Sequence, residues 1–64
     1  MINNQFNIGA CLTNIGLLYK KLGDYSKSWH AHNRAYDVFS SFLPEGHVSV
    51  KRALADVARL AAFI

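Results

Sequence analysis

Three histidines, one cysteine and four carboxylates are the residues of this 64-residue chain that could carry chemistry. A metal site would have to draw on His30, His32, His47 and Cys11. On a helix, however, His30 and His32 point about 200° apart, so they cannot clasp one ion as an i, i+4 pair would. No metal is expected. Nucleophilic chemistry would have to use Ser40, Ser41 and His47, and no acid is placed to orient the imidazole. Paired carboxylates, a Gly-rich phosphate loop and Cys-x-x-Cys are all missing from the sequence. A chain of this length also has little room for a water-excluding pocket. The expectation is a protein that is not an enzyme and carries no cofactor. Cys11 falls on an apolar stripe and reads as a small core residue. A single cysteine cannot close an intrachain disulfide, which suits a reducing, cytoplasmic setting.

Composition narrows the class further. Hydrophobic residues make up 52% and charged residues 17%, too apolar for a disordered tail. No apolar run approaches the roughly 20 residues needed to cross a bilayer, and the first residues carry no basic, signal-like segment, so no membrane role is expected. The formal charge is +3, from seven Lys and Arg against four Asp and Glu. The basic residues Lys20, Lys21, Lys27, Arg34, Lys51, Arg52 and Arg59 are scattered, with acids between them. A phosphate-tracking surface is denser than this, so no nucleic acid is expected and the mild excess favours acidic protein partners.

The elements that position these residues are helices. Apolar residues recur at Ile8, Cys11, Leu12, Ile15, Leu18, Tyr19 and Leu22, on the i, i+3, i+4, i+7 template, which predicts a helix over 4–22. Gly23 stands where a left-handed C-terminal residue is wanted, after Lys20 and Lys21, whose charges suit a helix end. Asp24 is an N-cap for a second helix over 25–42, in a segment patterned by Tyr25, Ser28, Trp29, His32, Ala35, Tyr36, Phe39, Phe42 and Leu43. Pro44, Glu45 and Gly46 break it. A third helix is predicted over 48–64, with Val50, Ala53, Leu54, Val57, Ala58, Leu60, Ala61 and Ile64 as its apolar set. The link between the first two helices is so short that they must run antiparallel. The fold class is all-α, in a single unit spanning 1–64.

These residues also carry a resemblance. Leu12, Ile15, Gly16, Tyr19, Gly23, Tyr25, Ser28, His32 and Ala35 fall where the tetratricopeptide repeat places its signature residues. From Cys11 to Leu60 the chain is similar to the longer, kinesin-light-chain type of that repeat. The run Leu12-Thr13-Asn14-Ile15-Gly16-Leu17-Leu18-Tyr19 is followed by Gly23-Asp24-Tyr25, Arg34-Ala35-Tyr36 and Leu43-Pro44-Glu45-Gly46-His47-Val48, and then by a restart at Leu54-Ala55-Asp56-Val57-Ala58-Arg59-Leu60. Leu12 and Leu54 lie 42 positions apart, and Asn14 with Asp56 and Ile15 with Val57 keep that offset. The resemblance implies one helical hairpin plus the first helix of a second, a short right-handed α-solenoid. Gly16 and Ala35 would allow close helix approach, and Tyr19 and Leu12 would fill the space between. Ser28 and His32 depart from the small apolar and aromatic residues of the pattern, which would loosen that helix pair. Val48 replaces the linker Pro and Asp56 replaces Asn.

What the resemblance implies about function is a protein–protein interaction scaffold holding an extended peptide or partner helix in a concave groove. Its groove positions are Ala10, Thr13, Asn14, Leu17 and Lys21 on the first helix and Arg52, Ala55, Asp56 and Arg59 on the third. Asn14 would hydrogen-bond a ligand backbone, while Lys21, Arg52 and Arg59 would attract carboxylates. Trp29 falls where the pattern faces a neighbouring repeat. Trp29, Leu60, Phe63 and Ile64 are therefore expected to mediate self-association, with Phe6 and Phe39 adding apolar surface to a body too small to bury everything. The alternative is a structural oligomer with no peptide ligand. A repeat array usually needs three or more units, so either a longer array or a homo-oligomer is expected.

Overall fold

The computed structural model describes residues 4–64, which form three α-helices and no strand. Helix α1 spans Gln5–Lys21, α2 spans Tyr25–Phe42 and α3 spans Val48–Leu60, followed by a 3₁₀ turn at Ala61–Phe63. The all-α reading and all three elements stand. The third helix is shorter than the 48–64 predicted, because its last turn tightens to 3₁₀ pairing at Ala61–Phe63.

Local chemistry accounts for the boundaries. At the end of α1, Gly23 adopts φ +82°. The Asp24 N–H donates to the Tyr19 carbonyl and the Gly23 N–H to the Lys20 carbonyl, the paired bonds of a Schellman motif. Asp24 then turns the chain into α2, its carboxylate accepting from the Lys27 N–H at 3.1 Å. The α2 helix stops at Leu43, extended as the residue before a proline must be. His47 caps α3, its Nδ1 accepting from the Ser49 N–H at 3.0 Å. That role was invisible in the reading of His47 as a metal or catalytic candidate.

Helix α2 is the middle of a single layer and packs on both of its neighbours. Contacts pair Gly9 with Phe39 and Gly16 with His32, and Lys27 sits over the Tyr19 ring, so α1 and α2 run antiparallel. His32 faces Asp56 and Tyr25 stacks on Phe63, so α2 and α3 are antiparallel as well. The core is thin: Ala31, Ala35, Phe39, Val50, Ala53 and Leu60, with Leu12, Tyr36, Phe42 and Leu43 packed around it. Half of the buried apolar side chains are alanines. Cohesion therefore depends on close backbone approach more than on large side chains.

The face that α1 buries differs from the expected one. Gly9 and Gly16 are its buried residues, and Leu12, Thr13 and Tyr19 are half-buried beside them. Ile8, Cys11, Ile15, Leu18 and Leu22 form the neighbouring stripe, one residue round the helix, and they are exposed. Cys11 is thus a surface thiol, not a core residue. The reason is steric. The glycine line is the only part of α1 that lets the Phe39 and His32 rings lie against its backbone. A Cβ built at Gly9 or Gly16 would meet those rings at 2.6 Å.

His32 and Ser28 tighten the α1–α2 pair, where a looser one was expected. His32 is 1% exposed, and its ring covers Gly16. The Ser28 hydroxyl donates to the Gly16 carbonyl at 2.6 Å, inside the helix pair. A small polar residue and a flat ring suit a glycine-sized gap better than a bulkier apolar pair would. Leu60, expected on a self-association surface, is 3% exposed and belongs to the core. Phe39 is buried too, with Phe6 edge-on to it at a centroid distance of 5.5 Å.

Candidate functional site: a groove between the first and third helices

Because α2 holds α1 and α3 on either side of itself, the two outer helices face each other across a groove. One end of it is lined by Phe6, Ala10, Thr13, Asn14, Ser49, Arg52 and Asp56, above Phe39 and Ala53. The cleft continues past Thr13, Arg52 and Asp56 to Leu17, Ala55 and Arg59. Eight of the nine groove residues that the resemblance implied line this continuous cleft. The ninth, Lys21, does not. It lies in the last turn of α1, exposed and outside the lining of either part.

The groove is chemically mixed. Asn14 is exposed and lines the α1 side of the cleft. The Thr13 hydroxyl is committed to its own helix, donating to the Gly9 carbonyl at 3.0 Å. Arg59 is folded back along α3 to pair with Asp56 one turn earlier. Arg52 has no ion-pair partner among the described residues. The cleft therefore presents one uncommitted guanidinium, one amide and a neutralised carboxylate on an apolar floor of Phe39 and Ala53. That set can hold a backbone carbonyl or N–H through Asn14 and a carboxylate through Arg52.

Asp56 has a second neighbour. Its Oδ2 lies 3.5 Å from His32 Nδ1, which is buried without a hydrogen-bond partner. Burial lowers the His32 pKa below its ordinary 6.5; Asp56 opposes that shift, while Lys20 and Arg59 add to it. Sequence reasoning treated His32 as half of a failed metal pair and as a packing position of the second helix, not as a partner of Asp56. Its 24-residue separation from Asp56 left no local signal to find.

The remaining residues singled out by sequence lie elsewhere. Trp29 is half-buried and forms a shallow apolar hollow with Ala61 and Ile64. Phe63 and Ile64 are exposed, although the Phe63 ring stacks on Tyr25 at 4.7 Å. Among the described residues no group of three or more metal-ligating side chains converges, and no helix is long and apolar enough to cross a membrane.

The 42-residue internal offset gives the exposed stripe of α1 a counterpart. Ile8, Cys11, Ile15 and Leu18 correspond to Val50, Ala53, Val57 and Leu60 on α3. There Val50, Ala53 and Leu60 are buried under α2 and Val57 is half-buried. The same stripe is covered on one helix and bare on the other. Compared with protein-family models, with curated proteins and with solved structures, the chain matches none of them.

Proposed function

We propose that this chain is a protein–protein interaction module of the tetratricopeptide kind, a small scaffold that holds an extended, acidic peptide or partner helix in the α1–α3 groove. The observation that supports this best is convergence. Eight of the nine residues carried over from the repeat resemblance, on two helices separated by a third, line one cleft. Arg52 is the anchor for a ligand carboxylate, and Asn14 holds the ligand backbone. Arg59 is held in reserve by Asp56. The exposed Cys11 thiol suits a cytoplasmic setting, where it stays reduced.

The test is a titration of fluorescein-labelled hexaglutamate followed by anisotropy. Arg52→Ala should weaken binding roughly two- to fivefold, the effect of one partly exposed charge pair. Raising salt from about 50 to about 300 mM should weaken it too. Lys21→Ala, outside the groove, is the control and should change little. Binding that ignored both Arg52 and salt would refute the acidic-peptide reading.

One observation favours a second reading, self-association into a structural oligomer. The bare stripe Ile8, Cys11, Ile15, Leu18 and Leu22 on α1 and the apolar hollow at Trp29, Ala61 and Ile64 leave apolar surface uncovered at two places. Sedimentation across a dilution series tests it.

A further inference from the structure

Behind the carboxylate of the groove sits a titratable group that peptide binding does not use. His32 is 1% exposed, and its Nδ1 is enclosed without a hydrogen-bond partner. A buried polar nitrogen left unpaired is uncommon and calls for a reason. Four groups set its surroundings. From α1, Gly16 closes on the opposite edge of the ring and Lys20 adds a repelling charge. From α3, Asp56 Oδ2 lies 3.5 Å from Nδ1, and Arg59, which holds Asp56 Oδ1, repels a proton on the ring. Asp56 is thus shared between a buried imidazole and a guanidinium whose side chain is 70% exposed at the mouth of the groove.

We propose that Asp56 relays the protonation state of His32 to the groove, so that acidic ligands bind more tightly at mildly acidic pH than at neutral pH. This rests on the peptide-groove reading above. With His32 neutral, Asp56 is balanced by Arg59 alone, and the guanidinium stays folded along α3. A proton taken from solvent gives the ring an N–H at both nitrogens and a full positive charge, so the Nδ1–H faces Asp56 Oδ2 as a charged donor. A movement of about half an ångström converts the 3.5 Å contact into a charge-assisted hydrogen bond. Asp56 is then neutralised from inside the fold. The new imidazolium repels Arg59, and the guanidinium swings into the cleft beside Arg52. Two uncommitted cations then face the ligand where there was one. Burial pushes this protonation below the ordinary histidine value of 6.5, so the change of state lies on the acidic side of it.

The experiment uses the full chain and labelled hexaglutamate at fixed ionic strength, at about pH 7.5 and about pH 5.0, where glutamate remains largely ionised. The wild type should bind roughly threefold or more tightly at the lower pH. Asp56→Asn, which keeps the shape but removes the relay charge, should abolish that gain. His32→Gln should do the same, which separates His32 from the exposed His30 and from His47 at the α3 cap. NMR titration of the His32 ring should show its pKa falling in Asp56→Asn, because a carboxylate that stabilises the imidazolium is gone. Equal affinity at both pH values, or a gain that survives Asp56→Asn, would overturn the relay and leave the peptide groove standing. No binding at either pH would overturn the groove reading and the relay with it.

Discussion

Gly16→Ala puts the packing argument at its most exposed. At an open helical site this change stabilises, because alanine is favoured over glycine by roughly 0.5–1 kcal/mol. At Gly16 the new Cβ would sit 2.6 Å from His32 Cδ2 and Nε2 and 2.9 Å from Cε1. Ordinary contact needs at least 3.4 Å, so the ring must retreat by about 0.8 Å. It has nowhere easy to go, since it is buried and backed by Asp56 on α3. Retreat also stretches the 2.6 Å bond from Ser28 to the Gly16 carbonyl, whose geometry depends on the same helix spacing. Overpacking of this kind costs roughly 1–3 kcal/mol. After the propensity gain, the net loss should fall between about 0 and 2.5 kcal/mol, or a fall in Tm of up to roughly 20 °C for a domain of this size. Gly16→Leu should cost more. Thermal and urea unfolding followed by circular dichroism measure both. A double-mutant cycle with His32→Ala should return most of the Gly16→Ala loss, with a coupling of about 1 kcal/mol or more. If Gly16→Ala raised Tm, His32 would not be packed on the α1 backbone and the whole helix register would be wrong.

Two further expectations follow from the same contacts. The folded-state pKa of His32 lies below 6.5, so the unfolded chain binds the proton more readily. Stability should therefore be complete above that pH, decline as pH falls through 6.5 toward the folded value and level off beneath it. Urea midpoints from about pH 7.5 to about pH 5.0 should show that decline, flattened in His32→Gln, and a slope unchanged by the substitution would count against it. If the self-association reading holds, sedimentation at micromolar concentration should give a mass above that of one chain, and Ile15→Lys with Leu18→Lys should return it to one chain with helix content intact. A single one-chain species at every wild-type dilution would rule it out.

How much of this was legible in the sequence divides along a physical line. Helix number, type and most boundaries are local matters. Gly23 supplies the left-handed turn residue, Asp24 the cap and Pro44 the break, and each acts within a few residues of itself. The groove was legible for a related reason. The resemblance pairs positions 42 residues apart, so residues on α1 and α3 could be paired before any packing was known. Tertiary structure decided the rest. Apolar residues on α1 spread over two adjacent stripes, and periodicity cannot choose between them. The choice went to the stripe where Gly9 and Gly16 admit aromatic rings, because contact between helices depends on how closely backbones approach as well as on hydrophobicity. The burial of Leu60, the exposure of Cys11 and the exclusion of Lys21 from the groove all follow from how the helices are rotated about their own axes. The His32–Asp56 pairing joins two helices through a single distance. Residue order constrains such a distance only weakly, and close packing against α2 determines it.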